Sequence, residues 1–306
     1  MLRERVKSIE LELHSYCPKQ CDFCPNSLLE RNEKVVYTEE RVIDEIIRAV
    51  PMLPNLRRMA FHRYNEPFIH RGQTAKINAI IAKIKEVHRG VEFWAASNLS
   101  FLSEGNNFLR DSQLHFMMVR RYEEKDPSFE AMVQFVDVHS VYTVSPGNHI
   151  LFLHDGKIVY YHDVTVAPFT ELYDRGGSLV HLSTRRRTQP CNRITINLGI
   201  DYNGNVMPCS NMQSQVPAHE PHILGNLRQS TLLEILGGEP AASFYEATAN
   251  ADFPPACRSC QSKNVIRRFP GRRGWCTCGR SRNLPYCDET HIGNGGPGPW
   301  EEDTEL

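Results

Sequence analysis

Cys17-Pro18-Lys19-Gln20-Cys21-Asp22-Phe23-Cys24 directly follows a short β-rich run, Ile9-Glu10-Leu11-Glu12-Leu13. Three thiols spaced C-x3-C-x2-C at the end of a first strand are donors for metal. As thiolates they can hold three irons of a [4Fe–4S] cluster and leave the fourth iron open to another ligand. The alternative is a zinc site completed by a histidine such as His14.

Outward from this loop the chain alternates. Residues 39–50 place Val42, Ile43, Ile46, Ile47 and Val50 at helical spacing, with Thr38 as a cap and Pro51 and Pro54 as the stop. Residues 58–62 are a second strand. Residues 73–88 are a second helix with Ile77, Ile80, Ile81, Ile84 and Val87 on one stripe. Residues 91–95 and 115–119 give two more strands. Strand–helix alternation predicts a parallel α/β architecture. Residues 150–154 and 158–162 about Asp155-Gly156 form a hairpin, expected as an insertion within 140–165 over the sheet. Residues 178–182 are expected as the last strand of the main domain. A second hairpin turns at Asn203-Gly204, and a short helix follows near 230–236.

The 306 residues carry a formal net charge of −1, which gives no reason to expect nucleic acid or an anionic membrane as partner. The chain has no 18-residue apolar run and no signal-peptide pattern, so a cytoplasmic location is expected. The Arg run 185–187 is expected as a solvated surface, with anion binding as the alternative. The ten cysteines fall into three groups without remainder. Cys191, Cys209, Cys257 and Cys260 can saturate a second [4Fe–4S] cluster, and Cys276, Cys278 and Cys287 with His291 can hold a third centre. Structural zinc is the alternative for each. The tail from 252 is poor in aliphatic residues and needs metal to fix it.

The first loop resembles that of the radical S-adenosylmethionine superfamily. The resemblance implies that the open iron binds S-adenosylmethionine and that one electron releases a 5′-deoxyadenosyl radical. It also implies a partial (β/α)6 TIM barrel over about residues 1–185, with the cluster at the carboxyl-terminal mouth of the strands. Phe23 would pack near the adenine. Tyr64-Asn65-Glu66-Pro67 stands where the family carries a Gly-Gly-Glu-Pro-like turn, so Tyr64, Glu66 and Pro67 are carried over as cofactor contacts, Glu66 toward the methionine amino group. Ser97 and Asn98 are carried over as polar contacts, with a turn cap as the alternative.

The segment with Cys191, the Pro208-Cys209 hairpin, Leu224-Gly225-Asn226 and Cys257-x2-Cys260 resembles a SPASM/twitch extension. It is closer to the single-cluster twitch type of aminocyclitol dehydrogenases. That implies a small α+β auxiliary-cluster domain, 186–265. Residues 276–291 resemble the CDGSH motif, with Glu289 in place of its glycine, and imply a [2Fe–2S] cluster in a segment 266–306.

Together these resemblances imply an oxidoreductase that oxidises an alcohol carbon of a small polar metabolite, as in aminoglycoside-type biosynthesis. A reducing partner such as flavodoxin or ferredoxin is expected, and pairing as a homodimer is left open. Epimerisation is the alternative, but it lacks an unassigned cysteine to return hydrogen. Peptide maturation lacks room for an amino-terminal recognition domain before the strand near residue 9. Candidate catalytic residues are Arg63, Tyr161 and His162, with His62, Arg120, Tyr160 and Asp163 beside them. Glu123, Glu124 and Asp126 are either a site for substrate ammonium groups or a solvated loop.

Overall fold

The computed structural model describes residues 2–31, 33–169, 172–183, 186–191 and 193–260. The carboxyl-terminal ligand set Cys276, Cys278, Cys287 and His291 lies outside the described residues. In chain order the first elements are β1 (Ser8–Leu11), α1 (Glu40–Ala49), β2 (Arg58–Ala60), α2 (Arg71–Val87), β3 (Glu92–Ser97), α3 (Phe108–Asp111), β4 (Phe116–Arg121) and α4 (Phe129–Val133). Then come β5 (Val138–Ser145), β6 (Asn148–Leu153), β7 (Ile158–Asp163), α5 (Arg193–Ile196), β8 (Leu198–Ile200), β9 (Asn205–Met207), β10 (Gly225–Asn226), α6 (Leu232–Gly237) and α7 (Glu239–Ala249). No helix among the described residues is long and apolar enough to cross a membrane.

The chain divides into two compact units. Among the described residues, one joins those up to Phe93 with those from Phe169 to Cys260, and the other holds Trp94–Pro168. In the first unit the strands run in the order β10-β9-β8-β1-β2. β1 lies parallel to both β2 and β8, while β9 and β10 continue antiparallel. Ile9, Leu11 and Leu13 are fully buried on one face of the β1 run. Glu10, Glu12 and His14 are buried on the other. A period of two in a strand covered on both sides therefore puts two carboxylates and an imidazole inside the unit. α1 buries Val42, Ile43 and Ile46, and α2 buries Ile77, Ile80, Ile81 and Ile84. Val87, expected on that stripe, is 49% exposed. Thr38 does not cap α1. Its hydroxyl donates to the Glu12 carbonyl at 2.7 Å and ties the loop to the end of β1.

The hairpin at 201–205 forms as the sequence predicts, but Gly204 alone takes a positive φ, +81°. Asp201 closes the loop by accepting from the Asn203 and Asn205 backbone N–H groups. α6 begins with a capping box between Thr231 and Glu234. Residues 178–182 are not a strand. The left-handed turns at Gly176 and Gly177 precede a 3-10 turn at Val180–Leu182, and Val180 is 76% exposed with nothing to pair against.

In the second unit the order is β3-β4-β7-β6-β5. β4 pairs in parallel with β3 and β7, and β6 and β5 follow antiparallel. The 150–162 hairpin is therefore part of this sheet rather than an insertion above it, because β7 extends β4 from Phe116↔Ile158 to Arg121↔Asp163. Phe116, Ile150, Phe152 and Ile158 pack as a core cluster with Trp94, Met118, Tyr142 and Tyr160 against it.

Candidate functional site

Two cysteine groups lie in the first unit. The loop after β1 carries Cys17, Cys21 and Cys24 and ends in a short 3-10 turn at Pro25–Leu28. Arg31 fixes the frame of this loop. Its guanidinium donates to Glu12 Oε1 at 3.0 Å, to Asn26 Oδ1 at 3.1 Å and to the Tyr64 carbonyl at 3.3 Å. Glu12 Oε1 also accepts the Tyr64 backbone N–H, and Asn26 Nδ2 donates to the Tyr64 carbonyl at 2.6 Å. The loop after β1 and the loop after β2 are thus stitched through one buried ion pair.

Cys191, Cys209, Cys257 and Cys260 line one pocket with Gly176, Arg187, Arg193, Asn211 and Met212. Burial pushes the Cys17 and Cys209 thiols up to about 12 and raises those of Cys24, Cys191 and Cys257. Backbone N–H groups two residues on act on four of these sulfurs in the opposite sense: Lys19 on Cys17, Asn26 on Cys24, Arg193 on Cys191 and Asn211 on Cys209. Such donors favour a sulfur that carries negative charge, the state that binds metal. Among the described residues no group of three Cys, His, Asp or Glu side chains is drawn together tightly enough for one metal ion. Tetrahedral ligation of a single zinc sets sulfurs about 3.8 Å apart for Zn–S bonds of about 2.3 Å. An all-thiol donor set, four of its members lining one pocket, suits a thiolate-bound group.

Two residues that sequence reasoning passed over, Arg175 and Asn211, connect the two groups, and a third, Glu10, is buried on β1. Arg175 donates through Nε to the Phe23 carbonyl at 3.4 Å and through Nη1 to Asn211 Oδ1 at 3.4 Å. Asn211 Nδ2 then points at Cys260 Sγ, 3.7 Å away. Glu10, 7% exposed on β1, accepts from Asn197 Nδ2 at 2.6 Å, and burial holds its carboxyl above the usual carboxylate range. The Arg63, Arg193 and Arg175 charges oppose that shift. The alternation of Ile9–Leu13 and the positions two residues after each cysteine were the signals available for Glu10 and Asn211. Nothing local marks Arg175.

Several expected site residues take definite places. Glu66 is 2% exposed, its backbone N–H donates to the Tyr16 carbonyl at 2.9 Å, and its charge acts on Cys17. It stands with Pro67 beside the first cysteine loop. Phe23 meets Phe169 edge-on at 5.2 Å. Tyr64 is used structurally: its hydroxyl donates to the Ser210 carbonyl at 2.7 Å. Arg63 lies over Gly199 so closely that a Cβ there would fall 2.2 Å from Nη1. Its Nη2 donates to the Met212 carbonyl at 2.6 Å, while Nε and Nη1 are buried without a hydrogen-bond partner among the described residues. Arg187 is no solvated cation. It donates to the carbonyls of Gln189, Pro190 and Cys260 and lies over the Phe253 ring.

Others differ from expectation. Tyr161 and His162, both named as candidate catalytic residues, are neighbours on β7 and point to opposite faces of the sheet. Tyr161 is 1% exposed, packs edge-on against Phe129 and donates to the Pro127 carbonyl at 3.4 Å. His162 shares the face of Tyr160, with a ring nitrogen 2.6 Å from the Ala167 carbonyl, and burial lowers its pKa. Ser97 Oγ accepts the Leu99 N–H and Asn98 Oδ1 the Ser100 N–H, both at 3.1 Å, so each caps the turn after β3. Asp126 accepts the N–H groups of Tyr122 and Glu123, and Glu123 pairs with exposed Lys125, so the acidic group after β4 builds its own loop. Asp163 pairs with Arg121 at 2.9 Å.

Residues 191–261 match the SPASM family model, an iron–sulfur cluster-binding domain. The structure of BtrN in complex with AdoMet and 2-DOIA is similar, at 17% identity and a TM-score of 0.63, covering 86% of this chain and 97% of that one. Selenomethionine BtrN in an open conformation is similar at 16% identity and a TM-score of 0.52, covering 84% and 92%. No curated protein matches the chain. The structural likeness shows the fold: a mixed α/β chain with an incomplete barrel-like sheet and a separate auxiliary region.

Proposed function

We propose that the chain is a radical S-adenosylmethionine oxidoreductase that oxidises an alcohol carbon of a small polar metabolite, an aminocyclitol or an amino sugar. The observation that carries this reading is the pairing, within one unit, of a three-cysteine loop after β1 with a four-cysteine pocket. Cys17, Cys21 and Cys24 would hold a [4Fe–4S] cluster with an open iron, and Cys191, Cys209, Cys257 and Cys260 a second, closed one. When bound, these groups and S-adenosylmethionine supply a hydrogen-atom abstractor and a one-electron acceptor. Cys276, Cys278, Cys287 and His291 are proposed to hold the [2Fe–2S] centre, and flavodoxin or ferredoxin to supply electrons.

The chain's own residues orient and exclude. Glu66 receives the ammonium of the methionine moiety, held beside Cys17 by Pro67 and the Tyr16 carbonyl. Phe23 shields the adenine. Arg63 offers its two unpartnered N–H groups to substrate hydroxyls, and Glu10 with Asn197 gives the interior a polar floor. BtrN, the similar structure described above, holds AdoMet and 2-DOIA, which supports the choice of an aminocyclitol among polar substrates.

Glu66→Gln keeps the shape of the loop and removes the charge that meets the ammonium. S-adenosylmethionine is expected to bind about ten- to a hundredfold more weakly, the loss of one charged hydrogen bond. Iron content should be unchanged. Titration calorimetry on the reconstituted protein reads both, and wild-type affinity would move the ammonium site away from Glu66.

The reaction itself is tested by the fate of hydrogen. Aminocyclitols and amino sugars deuterated at the reacting carbon are incubated in H2O and, unlabelled, in D2O. Oxidation transfers the substrate deuterium to 5′-deoxyadenosine, gives one oxidised product per cofactor cleaved, and gains no solvent deuterium at that carbon. One solvent deuterium at an inverted carbon, with no oxidation, would make the enzyme an epimerase instead.

A further inference from the structure

Asn211 is 3% exposed and has its two amide ends committed in opposite directions. Its oxygen faces the Arg175 guanidinium at 3.4 Å and its Nδ2 faces Cys260 Sγ at 3.7 Å. The reverse orientation would set NH2 against a guanidinium, donor against donor, and oxygen against a sulfur that carries negative charge when it ligates. Arg175 therefore fixes which end of Asn211 meets the sulfur. The backbone N–H of the same residue favours the charged form of Cys209 against the effect of burial. Arg175 is anchored at its other side to the Phe23 carbonyl inside the first cysteine loop. Its φ is +49°, uncommon for a residue with a Cβ, at the start of the Gly176-Gly177 bend.

We infer that Asn211, oriented by Arg175, raises the reduction potential of the group held by Cys191, Cys209, Cys257 and Cys260 and so fits it to accept an electron. Hydrogen bonds to ligating sulfur draw charge away from the metal and stabilise the reduced form. Arg187 and Arg193, which line the same pocket, add positive charge in the same sense. Asn211 acts on the cluster through sulfur and Arg175 acts through Asn211, so both are positioning residues. The inference rests on the auxiliary-cluster reading proposed above.

The test uses the full chain with Cys17, Cys21 and Cys24 replaced by alanine, reconstituted with iron and sulfide, so that the first cluster gives no signal. Iron content is measured first, then the midpoint potential of the auxiliary centre by titration followed by EPR. Asn211→Ala is expected to lower the reduction equilibrium constant about tenfold, a shift of about 59 mV to more negative potential for one electron. Arg175→Met, which touches no cysteine, should shift it in the same direction, and Arg175→Lys should recover part of the shift. Bound iron with an unchanged potential in both Asn211→Ala and Arg175→Met would overturn the inference. No four-iron centre at Cys191, Cys209, Cys257 and Cys260 in the parent triple variant would overturn the auxiliary-cluster reading itself, and with it the inference. A merely structural role for Asn211 would change iron occupancy and leave the potential of the occupied fraction where it was.

Discussion

Replacing Cys17, Cys21 and Cys24 together with alanine is expected to leave no measurable cleavage of S-adenosylmethionine while the auxiliary site still loads. Reconstituted protein should lose about four irons and keep the rest, since each cysteine group serves its own cluster. The loop's frame does not depend on the thiols. Arg31, Asn26 and Glu12 hold it to β1 and to the Tyr64 carbonyl through polar contacts that remain in the variant. The fold should therefore survive. Iron and sulfide analysis with Mössbauer spectra, beside an assay for 5′-deoxyadenosine, separates the outcomes. Loss of all iron would mean that the two groups are not independent sites, and surviving cleavage would mean that the radical chemistry is elsewhere.

The largest effect on stability is expected at Arg31. Its side chain and that of Glu12 are each 1% exposed and lie 3.0 Å apart. Arg31→Met leaves the Glu12 carboxylate buried without its cation, a change that costs about 3–5 kcal/mol. It also removes two donors to Asn26 and the Tyr64 carbonyl. Glu12→Gln in the same chain should recover much of the loss, because no full charge is then stranded, although the Tyr64 N–H still needs its acceptor. Urea unfolding of the single and double variants measures the coupling. A loss below about 1 kcal/mol in Arg31→Met would place the pair among ordinary exposed ion pairs.

Local pattern carried the regular elements. Helical spacing of Val42, Ile43 and Ile46 and of Ile77–Ile84 located α1 and α2, and Asp155-Gly156 located a turn. Cys17, Cys21 and Cys24 read as one group because they are close in sequence, whereas Cys191, Cys209, Cys257 and Cys260, spread along the chain, come to one pocket only in the fold. Misreadings arose where a residue had a competing partner far along the chain. Thr38 looks like a helix cap until the Glu12 carbonyl is brought beside it. Tyr64 looks like a ligand contact until Ser210 is. Glu10 and Glu12 were hidden because a charged residue in a strand reads first as solvent-facing, and only a second layer covering that face shows otherwise.

The first unit is written in two pieces, with the whole of Trp94–Pro168 between them. Asn197 and Glu10, bonded at 2.6 Å, stand 187 positions apart in the chain. During synthesis β1 and β2 emerge long before β8, the strand that pairs with the other edge of β1. Until then β1 presents an open edge and Glu10 lacks Asn197, although Arg31 already follows to meet Glu12, and such a half-built sheet invites wrong partners. Closing so long a loop is slow more than it is costly. The contiguous stretch from β4 to β7 makes its pairings locally and is expected to order first. Iron delivered early would meet only Cys17, Cys21 and Cys24, so the order of metal loading is expected to follow the order of translation, the four-cysteine pocket maturing after the ribosome has passed Cys260.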